Sequence, residues 1–114
     1  MGTHVANYLL TEAVIAASGT FTSDPIGIEK AQAIAVHTQT LAGTAIDIGF
    51  TYTVSTSRDG TYVPGEVTIN ASRAVVGVDD FVPEPASFMK LVIDNNNGVN
   101  PLTALRVVLA VQED

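Results

Sequence analysis

The strongest constraint on the fold is an alternating segment in the middle of the chain, residues 46–54, with the sequence IDIGFTYTV. Every even-numbered position in it is apolar or aromatic, and every odd-numbered position is polar or glycine. Successive side chains of a β-strand point to opposite faces, so the segment predicts a strand with one buried and one solvated face. Ile, Val and aromatic residues suit such a half-buried pleated surface. The segment therefore indicates a sheet of an all-β domain.

Other short segments share this extended character and are separated by turn signals. We expect strands at residues 20–23, 26–28, 31–39, 61–63, 67–70, 74–78, 88–93 and 105–111. Asp59-Gly60 predicts a turn, because both residue types tolerate positive φ. Residues 79–85 are expected to form a loop, since Pro83 and Pro85 cannot donate to a ladder. No useful helical pattern separates the strands, which predicts one antiparallel β-sandwich or jelly-roll-like domain of about seven or eight strands.

The N-terminal region leaves two interpretations open. Residues 8–17 favour an extended opening strand, although their Leu, Ala and Glu content, with Asn7 as a cap, would also suit a helix. Residues 1–7 are expected to form a flexible arm on a single domain spanning 1–114. No basic segment precedes an apolar stretch there, so we expect cytosolic synthesis without a secretory signal.

Composition excludes several classes of partner. The chain has 12 acidic and 5 basic side chains and a formal charge of −7. Nucleic-acid phosphates and anionic membranes both attract Lys and Arg, so neither is an expected partner. Charged residues make up only 15% of the chain, against the usual quarter. We therefore expect other proteins to cover part of the surface. The absence of cysteine excludes disulfides and thiolate metal sites.

No catalytic group can be assigned from the sequence. The two histidines are His4, in the expected arm, and His37, which alternation places on the outer face of its strand beside inward Val36. Neither has a neighbouring carboxylate to orient it as a general base. The serine-nucleophile and phosphate-loop motifs are absent. We expect a protein that is not an enzyme and holds no cofactor or metal.

Three weaker signals have a functional and an ordinary interpretation. Oxygen-rich stretches at Asp79, Asp80 and Glu84 and at residues 94–97 could bind calcium, but they match no EF-hand spacing and suit turns equally well. The aromatic residues Phe50, Tyr52, Tyr62, Phe81 and Phe88 could stack on a sugar, although alternation makes Phe50 and Tyr52 core residues. The sequence at 70–72 fits a glycosylation sequon, which without a secretory signal is accidental.

Three stretches together resemble a known kind of protein. They are residues 50–55 followed by 58–62, then 88–95, and finally 105–112. Their order is an aromatic strand ending in Ser with an Asp-Gly turn, a strand ending in Asx residues, and a last aliphatic strand. This order is similar to that of small β-sandwich virion proteins of tailed bacteriophages, such as capsid decoration (cement) proteins and other accessory structural proteins.

The resemblance implies a non-enzymatic virion protein that binds the outer capsid surface and stabilises the shell. Its partners would be the major capsid protein or other virion proteins, together with copies of itself, with a trimer favoured. Two alternatives remain open: a neck, tail or baseplate accessory protein, and a carbohydrate-binding β-sandwich module. The resemblance assigns no contact residue.

Overall fold

The computed structural model describes residues 4–11, 15–40, 48–69, 76–101 and 105–113, and these ranges contain nine β-strands and no helix. The strands are β1 (His4–Thr11), β2 (Thr20–Thr22), β3 (Ile26–Gly27), β4 (Ala31–Thr40), β5 (Ile48–Ser55), β6 (Val63–Pro64), β7 (Val76–Phe81), β8 (Phe88–Asn95) and β9 (Leu105–Glu113). No helix long and apolar enough to cross a bilayer occurs in these ranges.

Two antiparallel sheets make up the architecture. The first sheet has the order β1-β9-β4-β7, so the first and last strands of the chain are neighbours. The second has the order β2-β8-β5-β6, and β3 pairs with β8 beside β2. The prediction of an antiparallel β-sandwich is confirmed, with nine strands in the described residues instead of seven or eight.

The core lies between the two sheets and follows the alternation in the sequence. In β5, Ile48, Phe50, Tyr52 and Val54 are all buried. In β9, the alternate residues from Leu105 to Val111 are fully buried, and β8 contributes Met89, Leu91 and Ile93 at 0% exposure. Each such side chain contributes roughly 1.5–3 kcal/mol when it leaves water. These inward faces hold the two sheets together.

The structure corrects two predictions at the margins of the first sheet. Residues 79–81 lie in β7 and not in a loop, because an edge strand can turn a charged side chain such as Asp80 to solvent. Residues 4–7 belong to β1, hydrogen-bonded to β9, where a flexible arm was expected, because β9 offers them a free strand edge. Residues 1–3 lie outside the described ranges.

Other segments agree in part with the prediction. The extended interpretation of residues 8–17 is confirmed up to Thr11, where β1 ends, and the helical alternative is wrong for 8–11. Of the strand expected at 67–70, residues 67–69 are described, and among them Ile69 alone forms a bridge, to Phe50. The strand expected at 61–63 is the short β6, whose Pro64 suits a sheet edge. Residues 70–75, which include the sequon, lie outside the described ranges.

Candidate interaction surface

The outward side chains of the first sheet come from alternate residues of four strands, and the strand register arranges them in rows. Read from β1 to β7, the rows are Val5–Gln112–Ala33, Asn7–Ala110–Ala35–Asp80 and Leu9–Val108–His37–Val78, followed by Arg106 opposite Gln39. We call this surface the apolar face. His37 is exposed on it, as alternation predicts.

The apolar face carries large exposed hydrophobic side chains beside a floor of alanines. Val5, Leu9 and Val78 are 56%, 54% and 51% exposed. Ala33, Ala35 and Ala110 instead line a shallow depression of about 260 Å³. The charged side chains in these rows are the carboxylate of Asp80 and the guanidinium of Arg106. Single exposed hydrophobic residues are common on proteins, whereas an apolar patch indicates an interaction site. Here Asn7 and His37 separate the three large side chains, and Val108 and the alanines lie between them in the register.

The outer face of the second sheet carries more hydroxyl groups and fewer exposed aliphatic side chains. Its central rows carry Thr51 and Thr53 of β5 opposite Val92 and Lys90 of β8. At one end Thr20 donates a hydrogen bond to Asp94 over 2.7 Å, and at the other the Lys90 ammonium lies 4.3 Å from the centre of the Tyr62 ring. Hydroxyl and charged groups of this kind interact well with water. Of the two outer faces, the first sheet's is the one that gains from being covered.

The aromatic residues considered for sugar stacking are mostly part of the core. Phe50, Tyr52 and Phe81 are 5%, 1% and 5% exposed. The rings of Tyr52 and Phe81 pack with their centres 5.0 Å apart. Tyr62 and Phe88 are half-buried. Stacking on a sugar needs an open ring face, so the three buried rings do not form the platform that the sequence left open. The expectation that Phe50 and Tyr52 are core residues is confirmed.

Glu84, one of the calcium candidates, is engaged in a hydrogen-bonded clamp. The Tyr52 hydroxyl donates to its carboxylate, and the backbone N–H of Glu66 donates to the other oxygen over 2.8 Å. The same hydroxyl accepts from the N–H of Val67 at 3.1 Å. The clamp joins the loop after β7 to the loop after β6. The hydrogen bond from Tyr52, followed by that from Glu66, lowers the pKa of Glu84, whereas burial, followed by the bond to Glu84, raises the pKa of Tyr52.

The asparagine-rich stretch after β8 is occupied by turn hydrogen bonds. Asn95 is buried, and its amide nitrogen donates to the carbonyls of Ile15, Ala16 and Asn100 over 3.0–3.2 Å. Its side-chain oxygen accepts from the N–H of Asn97, whose own oxygen accepts from two further N–H groups. These oxygens stabilise the loop, which is the ordinary interpretation. Within the described ranges, no group of three or more His, Asp or Glu side chains is placed to hold a metal ion.

The buried polar side chains outside this loop also have structural partners. The Ser23 hydroxyl donates to the carbonyl of Asp24 and accepts from the N–H of Leu91. The Thr38 hydroxyl donates to the carbonyl of Gly77, and the Ser55 hydroxyl accepts from the N–H of Ser57. Among the described residues, no buried side-chain nitrogen or oxygen lacks a hydrogen-bond partner. Each of these buried hydroxyl groups therefore has a structural role in holding the backbone.

Comparison with known proteins supports the fold. The sequence matches no family model and no curated protein. Its structure is similar to a chain in the structure of infectious bursal disease virus, Gx strain, with a TM-score of 0.52 and 13% identity, over 97% of this chain and 32% of that chain. It thus spans about a third of the viral chain.

Two carbohydrate-binding modules are also similar. One comes from Cellvibrio mixtus lichenase 5A in complex with cellotriose, with a TM-score of 0.41 and 10% identity over 96% of this chain and 86% of that one. The other is the family 35 module of Paenibacillus barcinonensis, with a TM-score of 0.43 and 15% identity over 95% and 98%. At 13% identity, the similarity to the viral chain establishes a shared β-sandwich fold and nothing more.

Proposed function

We propose that this chain is a non-enzymatic structural protein of a bacteriophage virion, a capsid decoration protein that places its apolar face on the outer surface of the shell. The observation that carries the proposal is the contrast between the two outer faces of the sandwich. One presents Val5, Leu9 and Val78 more than half exposed, and the other presents threonines, Lys90 and Asp94.

The area of the apolar face limits how strongly one copy can bind the shell. Four strands about 4.8 Å apart, with rows about 7 Å apart along them, give a face of about 400 Å² in plan. Covering it on both partners removes about 800 Å² from water, below the 1,200–2,000 Å² of stable pairs. A single copy therefore binds weakly, and stable attachment requires copies that contact one another, so that neighbouring sites on the shell are bound together.

Stabilisation of the shell then follows from mass action. A protein that binds the assembled shell and not its separated subunits shifts the equilibrium towards the assembled state. No bond-making is needed, in keeping with the structural roles of the buried serines, threonine and asparagine. The acidic charge of −7 keeps the unbound protein soluble and favours a shell surface with basic groups.

A pair of lysine substitutions tests the proposal. Val78→Lys places a charge on the apolar face, and Thr51→Lys places the same charge on an exposed strand position of the second sheet. Purified protein is sedimented with shells of the parent phage that lack it, and the bound fraction is measured against concentration. An ammonium held in an apolar contact must lose its water or break the contact. We expect Val78→Lys to weaken binding at least about tenfold and Thr51→Lys to leave it within about twofold.

The outcomes separate the proposal from its competitors. Absence of wild-type binding to shells, together with absence of the protein from virions, would refute the proposal. Equal losses for both variants would contradict the assignment of the docking face. Binding to isolated tails or necks and not to shells would establish an accessory role elsewhere on the particle.

A further inference from the structure

The outer edge of β1 is a long strand edge without the features that usually prevent strand addition. β1 spans eight residues and pairs with β9 and no other described strand. It contains no Pro, Asp, Glu, Lys or Arg, although the chain carries a net charge of −7. Its side chains also remain accessible on both faces, since Val5 and Leu9 are more than half exposed on one and Tyr8 is 37% exposed on the other. An open edge of this kind is a template for another strand.

The other described sheet edges carry protective features. β7, at the far edge of the first sheet, contains Asp79 and Asp80 in succession, and acidic residues disfavour addition of another strand. β6 has two residues, one of them Pro64, which cannot donate to a ladder. β2 and β3 have three and two residues. β1 is therefore the edge that chain composition leaves open to pairing.

We propose that a second copy of this chain pairs antiparallel along β1, with a two-fold axis at Asn7, in place of the trimer that the resemblance implies. In this register Asn7 lies opposite Asn7 of the second copy, where the two side-chain amides can donate and accept reciprocally. Val5 lies opposite Leu9 of the second copy, and Leu9 opposite Val5. On the other face Ala6 lies opposite Tyr8.

The sequence of β1 selects this register over its neighbours. A shift by two residues would place Asn7 against Val5 or Leu9, leaving an amide opposite an aliphatic side chain. Because cross-strand pairs are the unit of sheet stability, matched pairs favour the central register. A shift by one residue would place inward side chains opposite outward ones. The strand is thus self-complementary, as a two-fold interface requires.

The pairing has a consequence for the proposed docking function, on which this part of the inference rests. The two-fold axis runs perpendicular to the sheet, so the apolar faces of both copies point the same way. They form one surface across eight strands, about 800 Å² in plan instead of about 400 Å². Two weak contacts then act together, so the pair binds the shell with higher affinity than one copy does, although each copy makes the same contact as before.

Charge reversal at position 7 tests the pairing directly, because only a residue on the axis meets itself. Sedimentation equilibrium of the full chain is measured for wild type, Asn7→Asp, Asn7→Lys and an equal mixture of the two variants. We expect wild type at twice the chain mass of 11.9 kDa. Like charges at the axis should raise the dissociation constant about tenfold in each variant alone. The mixture should regain the wild-type value, because Asp then faces Lys.

Two controls accompany the measurement. Circular dichroism should show the same fold in both variants, because position 7 is exposed. Val78→Lys, on the same face at the far edge of the sheet, should leave the mass unchanged. A wild-type monomer at sub-millimolar concentration, a trimer, or a mixture that fails to recover would each overturn the pairing. Sedimentation equilibrium is measured on the protein without phage shells, so its result does not depend on whether the protein binds shells. If the pairing is refuted, shell binding is still decided by the comparison of Val78→Lys with Thr51→Lys.

Discussion

Removing one oxygen atom, in Tyr52→Phe, tests how the loops at one end of the sandwich are held. The Tyr52 ring is 1% exposed, and its hydroxyl donates to Glu84 and accepts from the N–H of Val67. Phenylalanine preserves the buried ring and its packing against Phe81. The substitution therefore removes the two hydrogen bonds and little else.

The magnitude follows from the kind of hydrogen bond. A bond to a charged group contributes about 1.5–3 kcal/mol and a neutral one about 1 kcal/mol. Glu84 is half-buried and keeps the N–H of Glu66, so water and that bond recover part of the loss. We expect the free energy of unfolding to fall by about 2 kcal/mol. For a domain of this size that lowers the melting temperature by about 8 °C.

The assay is urea unfolding followed by circular dichroism, with Tyr62→Phe as the matched control. The Tyr62 hydroxyl donates to the carbonyl of Arg58 at an exposed position, so its loss should cost at most about 0.5 kcal/mol. If Tyr52→Phe changed the free energy of unfolding by no more than Tyr62→Phe does, the clamp would not stabilise the fold, and the reasoning would be refuted.

The remaining predictions concern the same end of the molecule. Because the pKa of Glu84 is lowered in the folded state, the stabilisation that its carboxylate provides is complete above the ordinary glutamate range and is lost as pH falls through the lowered pKa. In a plot of unfolding free energy against pH, Glu84→Gln should therefore flatten the acid limb. An unchanged acid limb would contradict this. Because the pKa of Tyr52 is raised, stability should also fall as pH rises above the ordinary tyrosine range, and Tyr52→Phe should reduce that alkaline loss. A Cβ added at Gly65 would overlap the Tyr52 ring, whereas one at Gly27 meets nothing within 4 Å. Thermal unfolding should show Gly65→Ala destabilised by about 1–3 kcal/mol and Gly27→Ala nearly unchanged. Equal destabilisation of the two variants would contradict the packing of Gly65 against Tyr52.

The strands that cross the core are predictable from the sequence because their alternation is long and regular. The segment 46–54 anticipates β5, and the segments 88–93 and 105–111 anticipate β8 and β9 with extensions of two residues. In each, burial on one face imposes a period of two on the choice of residue. The core positions therefore follow directly from the pattern.

The edge strands are harder to predict, because burial constrains them less. Within β7, Asp79 and Asp80 suggest a loop by composition, although the backbone pairs with β4 throughout 76–81. In β1, no described side chain is fully buried, so its residues carry no clear alternation. Pairing with β9 or β4 holds these strands in place, and a single sequence does not reveal that pairing.

The candidate surface depends on strand order, which alternation alone does not provide. His37 can be placed outward from its own strand, but its neighbours Val108 and Val78 come from positions distant in the chain. Strand order also separates the alanine and threonine side chains, with Ala33, Ala35 and Ala110 on one outer face and Thr51 and Thr53 on the other. The bond between Tyr52 and Glu84, 32 residues apart, depends on tertiary structure in the same way.

The most direct test of the proposed docking mode is an electron cryo-microscopy map of the parent phage particle with this protein bound. The map is predicted to show density for the protein on the outer shell, with Val108, Val78 and Ala35 of the β1-β9-β4-β7 sheet against the capsid and Thr51 facing solvent. Density that contacts the shell through the threonine-rich sheet, or shells with no density for this chain, would contradict it.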